Sequence, residues 1–327
     1  IKKKMIVGIE TTAHTFGVGI VDKGKILANV KDMYKPQEGG IIPNKGAEHH
    51  KLVADKIWHE ALSKAQCSDS DIKAIAVSNS PGLAPCLHAG INFAKEKATK
   101  LNISLIPVNH CIAHLEIGQS VGAKDPVLLY ASGANTQIIA YSAKKYRIFG
   151  ETLDLGVGNF IDTFGRYVNI PFPAGPVLEG KAKNGKYIEL PYSIKGMDVS
   201  FSGMQTKLKQ LYDKGNKIED LAFSIQETAF AMLVEASERA LAHTNKSELV
   251  LGGGVACNLR LQEMCRLMCE SRNAKLFCPA KEFLTDNGAM IAYTGEIMFN
   301  SGIKCKPESI EVLPRERTDM IDVVWKK

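Results

Sequence analysis

Two histidines four residues apart, His110 and His114 in the run His-Cys-Ile-Ala-His, are the first residues in this chain whose spacing suggests chemistry. On a helix that spacing stacks two imidazoles on one face about a turn apart, where they can share a metal ion. Asn109, just before them, is a suitable N-cap for such a helix. A zinc-protease site needs a glutamate directly after the first histidine to activate metal-bound water. Cys111 stands there instead, and proteolysis loses its base. Two further residues can offer oxygen. Asp286, in Leu284-Thr285-Asp286-Asn287-Gly288-Ala289, begins a helix and is either a ligand or a helix cap. Tyr130 ends a strand and is either core filler or, if an ion lowers its pKa, a ligand for an oxygen-preferring metal. Spacing alone does not bring the four together. Cys265 and Cys269 are also one helical turn apart, but no second sulfur pair accompanies them, so they read as the buried face of a helix.

A second kind of chemistry lies in the turns. Glu10-Thr11-Thr12-Ala13-His14-Thr15 and Ser132-Gly133-Ala134-Asn135-Thr136 each place small and hydroxyl residues after a strand, so that backbone N–H groups can converge on a phosphate. Each alone is also an ordinary turn. The sharper signal is Leu249-Val250-Leu251 running into Gly252-Gly253-Gly254-Val255-Ala256-Cys257-Asn258 and then a helix. Three glycines let the main chain approach a ligand that any Cβ would exclude, and Asn258 can hydrogen-bond it.

The elements that must position these groups follow from periodicity. Ile6–Ile9, Gly17–Val21 and Ile26–Ala28 read as an antiparallel meander turning at Asp22-Lys23-Gly24-Lys25. Residues 47–66 are apolar at helical spacing, Ile75–Val77 is a short buried strand, a helix runs through Lys100, and Leu105–Val108 is another strand. The pattern restarts at Val127–Ala131 and Gln137–Tyr141, a weak echo of the opening. Residues 151–203 are rich in Gly and Pro and read as binding loops. Residues 218–243 and 258–271 read as helices flanking the strand Leu249–Leu251, and the polar tail from residue 305 as a linker or loosely ordered end.

With 327 residues, 45% hydrophobic and 23% charged, the chain has the composition of a globular protein with two cores, not of a disordered one. The opening apolar run is cut short by Glu10, which fits neither a signal peptide nor a membrane span and suggests a cytoplasmic protein. A formal charge of +6 is compatible with a phosphate-rich partner without proving one. The basic clusters at Lys2–Lys4, Lys95/Lys97/Lys100, Lys181/Lys183/Lys186 and Lys207/Lys209 read as solvated faces.

Taken in order, Gly8-Ile9-Glu10-Thr11-Thr12-Ala13-His14-Thr15, Pro81-Gly82-Leu83, Val108–His114, Gly150-Glu151-Thr152-Leu153-Asp154, Phe172-Pro173-Ala174-Gly175-Pro176, Ser200-Phe201-Ser202-Gly203, Gly252–Asn258 and Thr285–Ala292 form a recognisable pattern. It resembles the family once called O-sialoglycoprotein endopeptidase and now understood as tRNA N6-adenosine threonylcarbamoyltransferase, the TsaD-like catalytic subunit of the KEOPS complex, in its archaeal and eukaryotic branch. Thr11 stands where this branch often has glycine, and Ala256-Cys257-Asn258 replaces a more usual Ala-Ala-Asn.

The resemblance implies an α/β, two-lobed actin-like ATPase fold (ASKHA, the sugar kinase, Hsp70 and actin class) with a central cleft. The expected lobes are residues 1–125 and 126–327, with the loop insertion at 151–203 and the last helix packing back on the first lobe. It implies one divalent or trivalent metal, iron ahead of zinc, on His110, His114, Tyr130 and Asp286. It also implies an adenine nucleotide, threonylcarbamoyl-AMP or ATP, at Tyr130, Ala131, Ser132, Gly133, Ala134, Asp162, Gly175, Glu179 and Asn258. The implied reaction moves threonylcarbamoyl from the adenylate to N6 of adenosine 37 in tRNAs reading ANN codons. The implied partners are the tRNA anticodon stem-loop, a small atypical protein kinase, a small dimerising subunit and a small accessory subunit. No side chain is identified as a general base beyond the metal site. A sugar or acetate kinase would need a carboxylate beside the second turn, and Ala131–Asn135 supplies none; an ATP-dependent scaffold would leave the histidine pair without purpose.

Overall fold

The computed structural model describes residues 5–36 and 40–326, so the Lys2–Lys4 cluster lies outside the described residues. The chain forms two compact units, Ile1–Ser120 with Asp286–Lys327, and Val121–Thr285.

The first unit opens with β1 (Met5–Glu10), β2 (Thr15–Asp22) and β3 (Lys25–Met33), followed by α1 (Pro43–Ala65), β4 (Ile72–Ser80), α2 (Ala84–Leu101), β5 (Ser104–Asn109) and α3 (His110–Glu116). Its sheet runs β3-β2-β1-β4-β5, with an antiparallel meander at one side and two parallel strands at the other. Every residue of β1 is buried, as a central strand covered on both faces requires. Trp58 and Ala61 of α1 and Ile91 and Ala94 of α2 join Val7, Ile9 and Phe16 in one core. Lys97 belongs to no solvated face: it is 9% exposed, its ammonium 2.7 Å from Asp55 and resting over the rings of Phe93 and Trp58.

The second unit repeats the plan. It contains β6 (Val127–Ala131), β7 (Thr136–Ser142), β8 (Lys145–Glu151), α4 (Val157–Tyr167), α5 (Gly175–Ala182), the short β9 (Ile194–Lys195) and β10 (Asp198–Val199), α6 (Ser202–Asp213), α7 (Ile218–Thr244), β11 (Glu248–Gly252), α8 (Leu259–Ser271), β12 (Lys275–Phe277) and α9 (Lys281–Leu284). The order β12-β11-β6-β7-β8 is again a three-stranded meander extended by two parallel strands. The stretch 151–203 is more regular than its composition suggests. Val157, Phe160, Ile161 and Phe164 recur at helical spacing and bury one side of α4, a signal diluted by the neighbouring glycines.

The chain then returns to the first unit in α10 (Gly288–Asn300); the second unit ends at Thr285, whereas the expected second lobe ran from 126 to 327 with its last helix packing back on the first. Gly8 and Gly19 are paired across β1 and β2, and α10 lies directly on that bare patch. A Cβ on Gly8 would stand 2.1 Å from the amide N of Ala292, and one on Gly19 would stand 2.2 Å from that of Ala289. Only glycine permits so close an approach of helix to sheet.

The tail is not a loose linker. Leu105 and Cys305 exchange backbone hydrogen bonds at 3.0 Å, the amide of Leu313 donates to Asn79 O, and that of Gly82 to Pro314 O. Ile310 is buried, and Lys326 ends 2.8 Å from the buried carboxylate of Glu116. Its polar side chains conceal a backbone that finds its partners at the ends of β4 and β5.

Candidate metal centre and nucleotide turns

Three elements of the first unit converge at the C-terminal ends of β1 and β5. Asn109 caps α3, its Oδ1 accepting from the amides of Cys111 and Ile112 at 3.0 and 3.2 Å. The cap starts the helix at His110, so His110 and His114 share a face, their ring centroids 4.8 Å apart. Asp286 arrives from the other end of the unit, just before α10. The cap of α10 is Asn287, whose Oδ1 accepts from Met290 N at 2.9 Å, so Asp286 is not needed as a helix cap. Its Oδ1 lies 3.4 Å from His110 Nε2 and 3.6 Å from His114 Nε2. One ligand atom from each of the three residues falls within 4.8 Å of the others, a spacing that fits a shared metal ion.

The donor states agree with that geometry. Burial lowers the pKa of His114 against the pull of Asp286, which favours the neutral imidazole with a lone pair to give. Burial works to raise the Asp286 carboxyl, but the charge of His110 and hydrogen bonds with both imidazoles overcome it and hold the group well below the usual range. Asp286 is therefore an anion here. Glu10, missed as a site residue from sequence, stands behind His110. Its Oε2 accepts from Nδ1 at 2.9 Å and its Oε1 accepts from Thr12 N at 2.7 Å. A carboxylate on Nδ1 fixes the ring and turns Nε2 toward Asp286. The signal was the carboxylate at the end of an otherwise apolar strand.

Burial pushes the Cys111 thiol up to about 11, so the residue in the proteolytic base position is an inert, protonated thiol. Cys265 and Cys269 are both buried on one face of α8, and burial raises both thiols.

The nucleotide candidates all lie in the second unit. Tyr130 is 2% exposed at the end of β6. After Ala131, Ser132 and Asn135 close a tight turn, with Ser132 N and Oγ both donating to Asn135 O at 2.9 Å. The first residues of α4 dock on it, Gly158 N donating to Ser132 O and Asn159 N to Gly133 O, each at 3.0 Å. Gly253 (φ +92°) packs so that a Cβ would stand 2.3 Å from Ala131 O, which makes the second glycine of the run obligatory. Asp162 is on a helix, accepting from Ala174 N at 2.8 Å and so fixing the entry to α5. A Cβ on Gly175 would meet nothing within 4 Å, so the space beside this one position of α5 is open. Glu179 Oε1 accepts from Leu259 N at 2.8 Å, next to Asn258. Asn258 caps α8 and donates to Gln226 Oε1 at 2.7 Å. The structure thus joins Glu179 and Asn258 at one helix end and gives Asp162 a scaffold bond.

Two five-stranded sheets of matching topology, each with its helices, define an α/β protein with the two-sheet actin-like fold. The fold is shared with HypF of Thermococcus kodakarensis (TM-score 0.66, 14% identity, 91% of this chain and 48% of that one). It is shared too with component A of the Acidaminococcus fermentans (R)-2-hydroxyglutaryl-CoA dehydratase (TM-score 0.59, 13% identity, 90% and 98%). At these identities the likeness concerns fold alone.

The chain belongs to the tRNA N6-adenosine threonylcarbamoyltransferase family, whose TsaD family model matches residues 25–293. It is 52% identical over 320 residues to the protein of that name from Thermococcus kodakarensis, across 97% of this chain and 98% of that one. It is 50% identical, across its whole length, to 60% of a Methanosarcina mazei protein named a probable bifunctional tRNA threonylcarbamoyladenosine biosynthesis protein.

Proposed function

We propose that this chain transfers the threonylcarbamoyl group from threonylcarbamoyl-AMP to N6 of adenosine 37 in tRNAs reading ANN codons, forming N6-threonylcarbamoyladenosine. Identity of 52% over 97% of the chain to a transferase of this name is the observation that carries the reading. The His110, His114 and Asp286 cluster supports a metal-assisted form of the reaction. A bound metal would supply Lewis-acid polarisation of the carbamoyl carbonyl. The protein's part is to present two imidazole nitrogens and one carboxylate oxygen in a fixed set, with Glu10 holding His110 in the ligating tautomer. A mixed nitrogen and oxygen donor set suits iron or zinc, and we favour iron on the family resemblance. The same resemblance alone proposes Tyr130 as a further ligand.

For the donor nucleotide we propose Tyr130, Ala131, Ser132, Gly133, Ala134, Asp162, Gly175, Glu179 and Asn258. The glycine packing behind Ala131 and the open space at Gly175 support that assignment. Asp162 and Glu179 are the proposed carboxylates for the ribose hydroxyls, each set in place by a backbone amide, that of Ala174 for Asp162 and that of Leu259 for Glu179. The tRNA anticodon stem-loop is the proposed acceptor, and the small kinase, dimerising and accessory subunits of the KEOPS complex are the proposed partners, on the family resemblance. None of the described helices is long and apolar enough to cross a membrane. Eight cysteines, none of them in a disulfide among the described residues, suit the reducing cytoplasm we propose as the place of reaction.

The test is reconstitution. The chain, with those partner subunits, is incubated with threonylcarbamoyl-AMP and tRNA, and the nucleosides are resolved by mass spectrometry. Threonylcarbamoyladenosine at position 37 is expected. Its absence from a mixture in which a relative forms it would refute the reading.

A further inference from the structure

Lys73, at the start of β4, and Lys304, after α10, hold their ammonium groups 4.1 and 4.7 Å from the centroid of one ring, that of Phe299. With Ser104 and Lys306 they line an open cavity of about 450 Å³ that belongs wholly to the first unit. No carboxylate lines it. Among the described residues, none of these three lysines forms an ion pair with a carboxylate. The contrast with Lys97 is instructive. That lysine also rests on aromatic rings, but Asp55 neutralises it at 2.7 Å.

Cations gathered on one ring repel one another, and the ring quadrupole offsets only part of that. An anion between them removes the repulsion. Lysines bind phosphate as point charges, and the polar side chains of Asn102 and Ser104 at the cavity wall add hydrogen-bonding capacity. Lys73 and Ser104 stand at the N-terminal ends of β4 and β5, whereas His110 follows the C-terminal end of β5. The six residues of β5 separate the two places by roughly 20 Å at the usual rise per strand residue.

We infer that this cavity is a phosphate site distinct from the His110 centre. It does not depend on the metal reading. Phosphate groups reach it either on the tRNA backbone or as a free polyphosphate. The experiment compares the full chain with the variant K73Q/K304Q/K306Q and with Phe299→Leu, which keeps all three charges and removes the ring. Pyrophosphate binding is followed by calorimetry, and tRNA binding by fluorescence anisotropy across a salt series.

The triple variant should lose one class of pyrophosphate site, with affinity down at least tenfold, and Phe299→Leu should weaken that class several-fold. If the backbone of tRNA is the occupant, the triple variant also binds tRNA more weakly at low salt, with a shallower slope of log affinity against log salt by about 2. If the occupant is a free polyphosphate, tRNA binding is unchanged while the pyrophosphate class is lost. Unaltered binding of both pyrophosphate and tRNA by the triple variant at every salt concentration overturns the inference. So does a loss in the triple variant with none in Phe299→Leu, which would reduce the cavity to diffuse surface charge.

Discussion

Oε2 of Glu10 lies 2.9 Å from Nδ1 of His110, with the carboxylate fully buried and the imidazole 4% exposed. The pair connects the last residue of β1 to the first of α3, and it sets which nitrogen of His110 faces Asp286. Glu10→Gln keeps a hydrogen-bonding side chain of similar size but removes the charge that favours Nδ1–H. Metal affinity should fall by about 10- to 100-fold, measured by competition with a chelator, with little change in the circular dichroism of the fold. Undiminished affinity would mean that Glu10 does not orient the ring.

The glycine patch makes a different prediction, about architecture. Gly19→Val drives a branched side chain into the backbone of Ala289, where even a Cβ would sit at 2.2 Å. The variant should lose about 3 kcal/mol or more in denaturant unfolding. Because Asp286 lies two residues before α10, metal affinity should fall with it. Normal stability and metal binding together would show that α10 does not dock there.

Open space at Gly175 separates a binding role from a packing role. Gly175→Val meets no neighbouring atom at its Cβ, so its Tm should stay within a few degrees of the parent. If the donor nucleotide lies against α5, its affinity should drop at least tenfold in calorimetry. An unchanged affinity would remove Gly175 from the nucleotide set.

His50 gives the fold a pH dependence. Its side chain is 1% exposed and its Nε2 is 3.0 Å from Ala13 O. Burial lowers its pKa from 6.5 to about 4, against the opposing effect of that hydrogen bond. The folded state therefore resists protonation more than the unfolded chain does. The stabilisation from this group is complete above the unfolded value of 6.5 and declines as pH falls toward 4, by up to ~3 kcal/mol. In urea titrations at pH 7 and pH 4.5, His50→Gln should show a smaller loss of stability over that interval than the parent. An equal loss would place the acid sensitivity elsewhere.

The parts of the candidate site that were legible have local signals. The spacing of His110 and His114, the Asn109 cap and the glycine run after β11 each announce their geometry within a few residues. What was not legible depends on distant contacts. Glu10 is an isolated carboxylate until α3 brings His110 against it. Asp162 and Glu179 read as loop residues because glycine and proline around them hid the four large apolar positions buried by α4. The tail read as loose because its attachment runs through backbone amides, such as Leu313 N to Asn79 O, that side-chain polarity does not reveal. The close seat of α10 on β1 and β2 was not legible either, because it depends on Gly8 and Gly19 lying side by side across two strands.

We propose that His110 and His114 hold the metal on which transfer depends. The most direct measurement is the metal content of the purified double variant H110A/H114A by plasma mass spectrometry, paired with threonylcarbamoyladenosine formation in the reconstituted mixture. Metal below about a tenth of an equivalent per chain and transfer reduced at least a hundredfold are expected, with nucleotide affinity retained. A double variant that keeps both its metal and its transfer activity would contradict it.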